Sequence, residues 1–151
     1  MSRKLTLSGG AGDIEALLDE PRGAPTAIAV VCHPHPLFQG TMHNKVAHIL
    51  ARALTDLGAL ALRFNFRGVG ASAGEHDGGD GETDDAVAVA EWLREQHPAL
   101  PFWLGGFSFG AMVTLRAASR LQPAALVTVA PPVERLSPFA HPHCPWLLLQ
   151  G

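Results

Sequence analysis

Residues 101–121 read PFWLGGFSFGAMVTLRAASRL, and the order of residue types along them decides the fold. An apolar run over 101–105 has the composition of a strand. Ser108 follows at the centre of Gly106-Phe107-Ser108-Phe109-Gly110, and residues 109–121 carry the apolar repeat of a helix, with Arg116 and Arg120 four apart on its polar stripe. A strand that turns at once into a helix holds the intervening serine in a sharp turn, and small flanking residues let the backbone pack closely around it. The hydroxyl then lies at the helix N-terminus, where unpaired amides and the helix dipole can stabilise a developing negative charge. Ser108 is therefore the candidate nucleophile, and the Phe109 N–H a candidate oxyanion donor.

Outward from this junction, strand and helix alternate. Residues 4–7 and 14–18 read as two short strands around Gly9-Gly10-Ala11-Gly12-Asp13, an antiparallel start. Residues 26–32 (TAIAVVC) form a continuous apolar run of the kind buried on both faces of a parallel sheet. Asn44 can cap a helix through Leu57, with Val46, Leu50, Leu54 and Leu57 on one stripe and Gly58 closing it. Residues 59–66 are the next strand and 68–81 a Gly-rich loop. Glu82, Asp84 and Asp85 then stand where carboxylates favour the start of a helix running to Gln96. Residues 125–129 and 144–149 complete the strands, joined by a proline-rich linker over 131–142. The alternation predicts an α/β fold in one domain, a mostly parallel sheet with right-handed crossovers after the opening hairpin.

Composition agrees and narrows the function. The chain has 151 residues, 47% hydrophobic and 17% charged, below the roughly 25% charge of an average domain, as a sheet covered on both faces requires. Eleven Lys plus Arg against fourteen Asp plus Glu, a net charge of -3, provide no basic footprint for nucleic acid or an anionic membrane. Two cysteines in apolar runs are too few for a disulfide framework, and the N-terminus lacks the apolar stretch of a signal peptide, so a cytoplasmic location is expected.

A second Gly-x-Ser-x-Gly match, Gly70-Ala71-Ser72-Ala73-Gly74, is followed soon by EHDGGDG, which cannot begin a helix. Ser72 is read as a structural loop hydroxyl. A second oxyanion donor is expected from the loop after the 26–32 strand, His33-Pro34-His35-Pro36-Leu37-Phe38-Gln39-Gly40. Pro34 and Pro36 have no N–H, so the donor is Leu37, with His35 as the alternative. Phe38, Met42, Phe107, Pro131 and Pro132, with Phe109, would make an apolar mouth around the serine.

Three stretches together, HPHPLFQGTMHNKV at 33–46, LRFNFRGVGASAGEHDGGDGE at 62–82 and GGFSFGA at 105–111, resemble the α/β-hydrolase superfamily, specifically its small lidless predicted serine hydrolases. The resemblance implies that Ser108 attacks a carboxylic ester or similar acyl bond of a small-molecule substrate, with Phe109 and the HPHPL loop as oxyanion hole and no cofactor or metal. It says nothing of oligomeric state. Family members carry the triad in the order Ser, then acid, then His. The last apolar strand runs into Gly151, so the domain is expected to be incomplete at its C-terminus, lacking a strand and helix. The triad acid and base are then expected beyond Gly151, and this 151-residue chain is expected to be nearly inactive.

Three rival readings compete. Glu134 with His141 or His143 has the right order but doubtful spacing to serve Ser108. His33-Pro34-His35 and His141-Pro142-His143 are H-x-H pairs that could chelate zinc, although Asp77 and Asp80 stand at no diagnostic spacing to them. A non-catalytic hydrolase-fold module that binds a ligand is the alternative from another class. His43, His48, His76 and His97 read as loop, surface or helix positions.

Overall fold

The computed structural model describes residues 2–135 and 140–151; residues 136–139, within the proline-rich linker, lie outside it. Seven strands form one sheet in the order β1-β2-β4-β3-β5-β6-β7. The opening hairpin is β1 (Ser2–Gly9) and β2 (Gly12–Asp19), and β2 pairs antiparallel with β4 (Ala59–Phe64). From there β3 (Ala27–Cys32), β5 (Phe102–Phe107), β6 (Ala125–Val129) and β7 (Trp146–Leu149) are all parallel. The apolar run of β3 is buried at every residue because it is central, with β4 and β5 on either side.

Three longer helices cover the sheet. α1 (Lys45–Asp56) packs on one face, where Ala47, Leu50, Ala51 and Leu54 meet Ala29, Val31 and Ala61. α2 (Asp80–Gln96) and α3 (Phe109–Leu121) pack on the other, over a core containing Ile28, Val30, Leu62, Phe64 and Leu104. Asn44 caps α1 as expected, its Oδ1 accepting from the Val46 and Ala47 amides. The stripe differs: Leu57 lies beyond the last helical turn and is exposed, and the small residues Ala47 and Ala51 supply the contact that brings the helix close to the strands.

The three acids at the start of α2 have separate duties. Glu82 accepts from the Asp77 and Gly79 amides and so closes the helix end. Asp84 pairs with Arg120 at the surface, 2.7 Å apart. Asp85 is buried and takes both the Arg67 amide at 2.9 Å and its guanidinium at 2.8 Å, which ties the loop after β4 to α2. A buried cation, Arg63 near the end of β4, reaches Asp19 on β2 and the Met42 carbonyl.

β7 forms the edge of the sheet, with Leu147, Leu148 and Leu149 exposed. Its pairing with β6 is reinforced by Trp146 Nε1 donating to Thr128 Oγ1 at 2.9 Å.

Replacing Asp85 by alanine would leave the Arg67 amide and a half-buried guanidinium unpaired, and is expected to cost about 3–5 kcal/mol in urea denaturation. Asp85→Asn retains an acceptor and should cost less; equal stability of all three forms would mean that this pair does not hold the loop.

Candidate active site

Ser108 stands between β5 and α3 with φ 56° and ψ −117°, a left-handed backbone that a residue with a Cβ adopts only when its surroundings enforce it. Its amide donates to the Val129 carbonyl at 2.9 Å, and its carbonyl accepts from Ala111 and Met112, the first turn of α3. The turn is possible because two glycines flank it. A Cβ at Gly106 would run into the Gly110 carbonyl, and one at Gly110 into the Cys32 and His33 carbonyls at the end of β3. The sequence-predicted elbow is thus present in both its backbone angle and its close packing. The amides of Phe109 and Gly110, first in the helix, have no carbonyl one turn back inside it.

The loop after β3 arrives beside this turn, since β3 and β5 are hydrogen-bonded neighbours. His33 is buried; its Nδ1 donates to the Pro34 carbonyl at 2.6 Å, and its Nε2 accepts the Phe66 amide at 3.1 Å. Both ring nitrogens are spent on backbone, which removes His33 from the zinc-chelating reading.

His35 caps a short helical turn over 36–38, its Nδ1 accepting the Leu37 amide at 3.1 Å. The Leu37 N–H expected in the oxyanion hole is therefore bound to the His35 ring. With Nδ1 as acceptor, the neutral His35 ring carries its proton on Nε2. The ring packs on Phe109, Phe38 and His76, with centroids 4.8, 4.9 and 4.8 Å away. Burial foremost, then the charges of His76 and Arg135, hold His35 below its ordinary imidazole range, with Glu82 opposing.

His76 belongs to this cluster and is not a plain surface residue. Its Nδ1 is buried 3.1 Å from Glu82 Oε2, off the line of a hydrogen bond and without another partner among the described residues. No local pattern around EHDGG marks His76, because its neighbours come from Phe109 and the loop after β3.

Ser108 opens into a cavity of about 500 Å³, lined by His35, Phe38, Phe109, Met112, Arg116 and Pro132. Gly78, Glu134 and Arg135 complete the wall. Phe38 and Pro132 do line the cavity, but Met42, Phe107 and Pro131 do not. Met42 is buried with its amide on Asn65 Oδ1 at 2.8 Å, so it anchors the returning loop. The wall is also mixed in character, with two arginines, a carboxylate and an imidazole. Arg116 escaped the sequence reading because it looked like half of an exposed stripe with Arg120.

The rival triad is split by the structure. Glu134 reaches the cavity, whereas His141 and His143 lie beside Ala118, Ser119, Gln122 and Pro123 at the far end of α3. Among the described residues, no hydrogen bond is made by the Ser108 hydroxyl. Ser72, in contrast, is fully engaged: its Oγ donates to the Asn65 carbonyl at 2.6 Å and accepts the Glu15 amide at 2.9 Å.

Comparison with known proteins agrees with the fold. The family described by the α/β-hydrolase fold matches residues 30–148. The chain belongs to the α/β-hydrolase family. A lidless α/β serine hydrolase from Xanthomonas campestris superposes with a TM-score of 0.94 at 49% identity, covering 99% of this chain and 71% of that one. An α/β serine hydrolase homologue from Coxiella burnetii has a TM-score of 0.95 at 41% identity, covering 99% and 73%. An uncharacterized protein of Rickettsia prowazekii is 36% identical over 155 residues, covering 98% of this chain. The chain spans 65% of that relative's length. Among the described residues, no helix of this hydrolase-fold chain is long and apolar enough to cross a membrane.

Burial pushes the His33 imidazole down to about 4, the bond to Pro34 opposing. An unfolded histidine titrates near 6.5, so between these values the unfolded chain binds the proton first. The contribution is full above about pH 6.5 and is lost as pH falls toward 4, about 3 kcal/mol in all. Urea midpoints between pH 7 and 4 should therefore fall more steeply for the parent than for His33→Gln. Parallel curves would place the acid sensitivity elsewhere.

Proposed function

We propose that this chain carries the nucleophile and oxyanion half of a serine hydrolase that cleaves a carboxylic ester or similar acyl bond of a small molecule. The observation that supports it most is the left-handed backbone of Ser108, held between β5 and α3 at the floor of a cavity. The Ser108 Oγ attacks the acyl carbon, the carbonyl oxygen becomes an oxyanion, and collapse expels the alcohol to leave an acyl-enzyme that water hydrolyses. The Phe109 amide is the first oxyanion donor, at the positive end of a 13-residue helix. The second comes from the loop after β3. Leu37 supplies it when the His35 ring releases its amide, and the His35 backbone N–H is the alternative. Phe38 and Pro132 contact the substrate. Two free cysteines, Cys32 buried and Cys144 half-buried, fit the cytoplasmic location we assign.

The proton of Ser108 is assigned to no residue of this chain, since no described imidazole meets the hydroxyl. Without a base, a residual acceleration of roughly 10³ to 10⁴ over water is expected from the oxyanion hole and binding alone. The same observation favours one second reading, a binding module in which the elbow is retained as architecture.

A fluorophosphonate probe on the full-length protein separates the two, since a module without a base should not be labelled. The hydrolase reading expects covalent labelling at Ser108, lost in Ser108→Ala with the fold intact. Ser72→Ala should keep the labelling while costing about 1–3 kcal/mol of stability, because the Glu15 amide and Asn65 carbonyl lose their partner. Labelling that follows Ser72, or no labelling at all, would reject the assignment of Ser108 as nucleophile.

A further inference from the structure

Of the four residues that α3 and its cap present to the cavity, three stand at intervals of four: Ser108 at the cap, then Met112, then Arg116. At 1.5 Å per residue, the span from Ser108 to Arg116 is about 12 Å along the helix. A nucleophile, an apolar side chain and a cation are thereby set in line along one wall.

Arg116 is fitted to this place by the loop opposite. Gly79, with φ 120°, lies against it so closely that a Cβ there would meet the guanidinium and come within 3.2 Å of the Met112 methyl. Gly78 forms the adjoining lip. The guanidinium is only loosely committed within the protein, since Asp80 is 3.6 Å away and its side chain is 95% exposed. Exposed pairs of this kind contribute little. Arg120, one turn on, points to Asp84 and takes no part. Among the other lining residues, Arg135 adds a second positive charge and Glu134 a single negative one, while His35 is held toward its neutral form. The wall therefore carries one net positive charge near neutral pH.

We propose that the Ser108 cavity selects acyl substrates bearing a carboxylate at the far end of an apolar stem. Arg116 is the specificity-determining residue, Met112 packs on the stem and Arg135 supports the charge. A carboxylate suits the planar guanidinium fork, and its single charge matches the single net positive charge of the lining side chains. This inference rests on the serine-hydrolase reading, and it names the substrate class for that site.

The test uses the whole chain carrying Ser108→Ala, so that ligand survives the measurement, and compares monomethyl adipate with dimethyl adipate by calorimetric titration at low salt. The monoester is expected to bind roughly tenfold more tightly. Arg116→Gln in the same background should erase most of that ratio, Arg120→Gln should leave it in place, and added salt should narrow it. Equal affinities, no detectable binding of either compound, or a ratio untouched by Arg116→Gln would overturn the proposal, provided that circular dichroism shows the variants folded. Fluorophosphonate labelling of the unsubstituted full-length protein reads the nucleophile separately. Labelling without charge preference defeats this inference alone, whereas Arg116-dependent binding without labelling defeats the hydrolase reading and leaves an anion site.

Discussion

The N-terminus of α3 lies directly against the carboxyl end of β3, with no side chain between them. Gly110 faces the Cys32 and His33 carbonyls, and Gly106 faces Gly110, at separations that no Cβ could occupy. This approach forces the chain to reverse within one residue, and Ser108 takes the positive φ that the reversal demands. The same contact leaves the first amides of α3 beside the loop that leaves β3, so the candidate nucleophile, the helix dipole and the loop proposed to complete an oxyanion hole are brought together by backbone packing alone. Hydrogen-bonded pairing of β3 with β5 makes that arrangement rigid, since both strands are held along their length up to the residues that turn away.

A second layer of polar bonds holds the loops around the junction. His33 joins the end of β3 to the Phe66 amide beyond β4. Asn65 takes the Met42 amide and donates to Glu15, whose carboxylate also accepts the Ala71 amide. Those bonds hold the Glu15 carboxyl below its ordinary range, that from Ala71 most of all. Ser72 closes the set by bridging Asn65 and Glu15 through backbone atoms. Two Gly-x-Ser-x-Gly segments therefore do opposite work. One projects its hydroxyl into a cavity, and the other consumes its hydroxyl in joining a loop to the sheet.

The division explains which features were legible in the sequence. Strand, turn and helix at 101–121 could be read because glycine spacing and apolar periodicity are local properties, and the helix bounds agree with the structure to the residue. Ser72 could be set aside because its sequence neighbours exclude a helix. The wall of the cavity could not be read, because it is assembled from α3, the loop after β3, the Gly78 turn and the segment after β6. Met42 and Phe107 were expected there by proximity in sequence, and Arg116 and Glu82–His76 were missed because their roles depend on which face meets another element. The Leu37 amide shows the same limit at the scale of one bond, since the His35 ring that occupies it depends on a side-chain rotamer.

Apolarity alone would have pointed to a different place. A cavity of about 430 Å³ on the α1 face is lined almost wholly by apolar side chains, among them Leu54, Trp103, Leu126, Trp146 and Leu147. It contains no nucleophile and no titratable group, so it has nothing with which to polarise or attack a bond. The Ser108 cavity is less apolar, yet a strained serine, unpaired helix amides and a loosely held guanidinium converge on it. Reactivity follows from polar groups that the fold leaves uncommitted, and in this chain those groups gather where the glycine-mediated contact of α3 with β3 has already fixed the geometry.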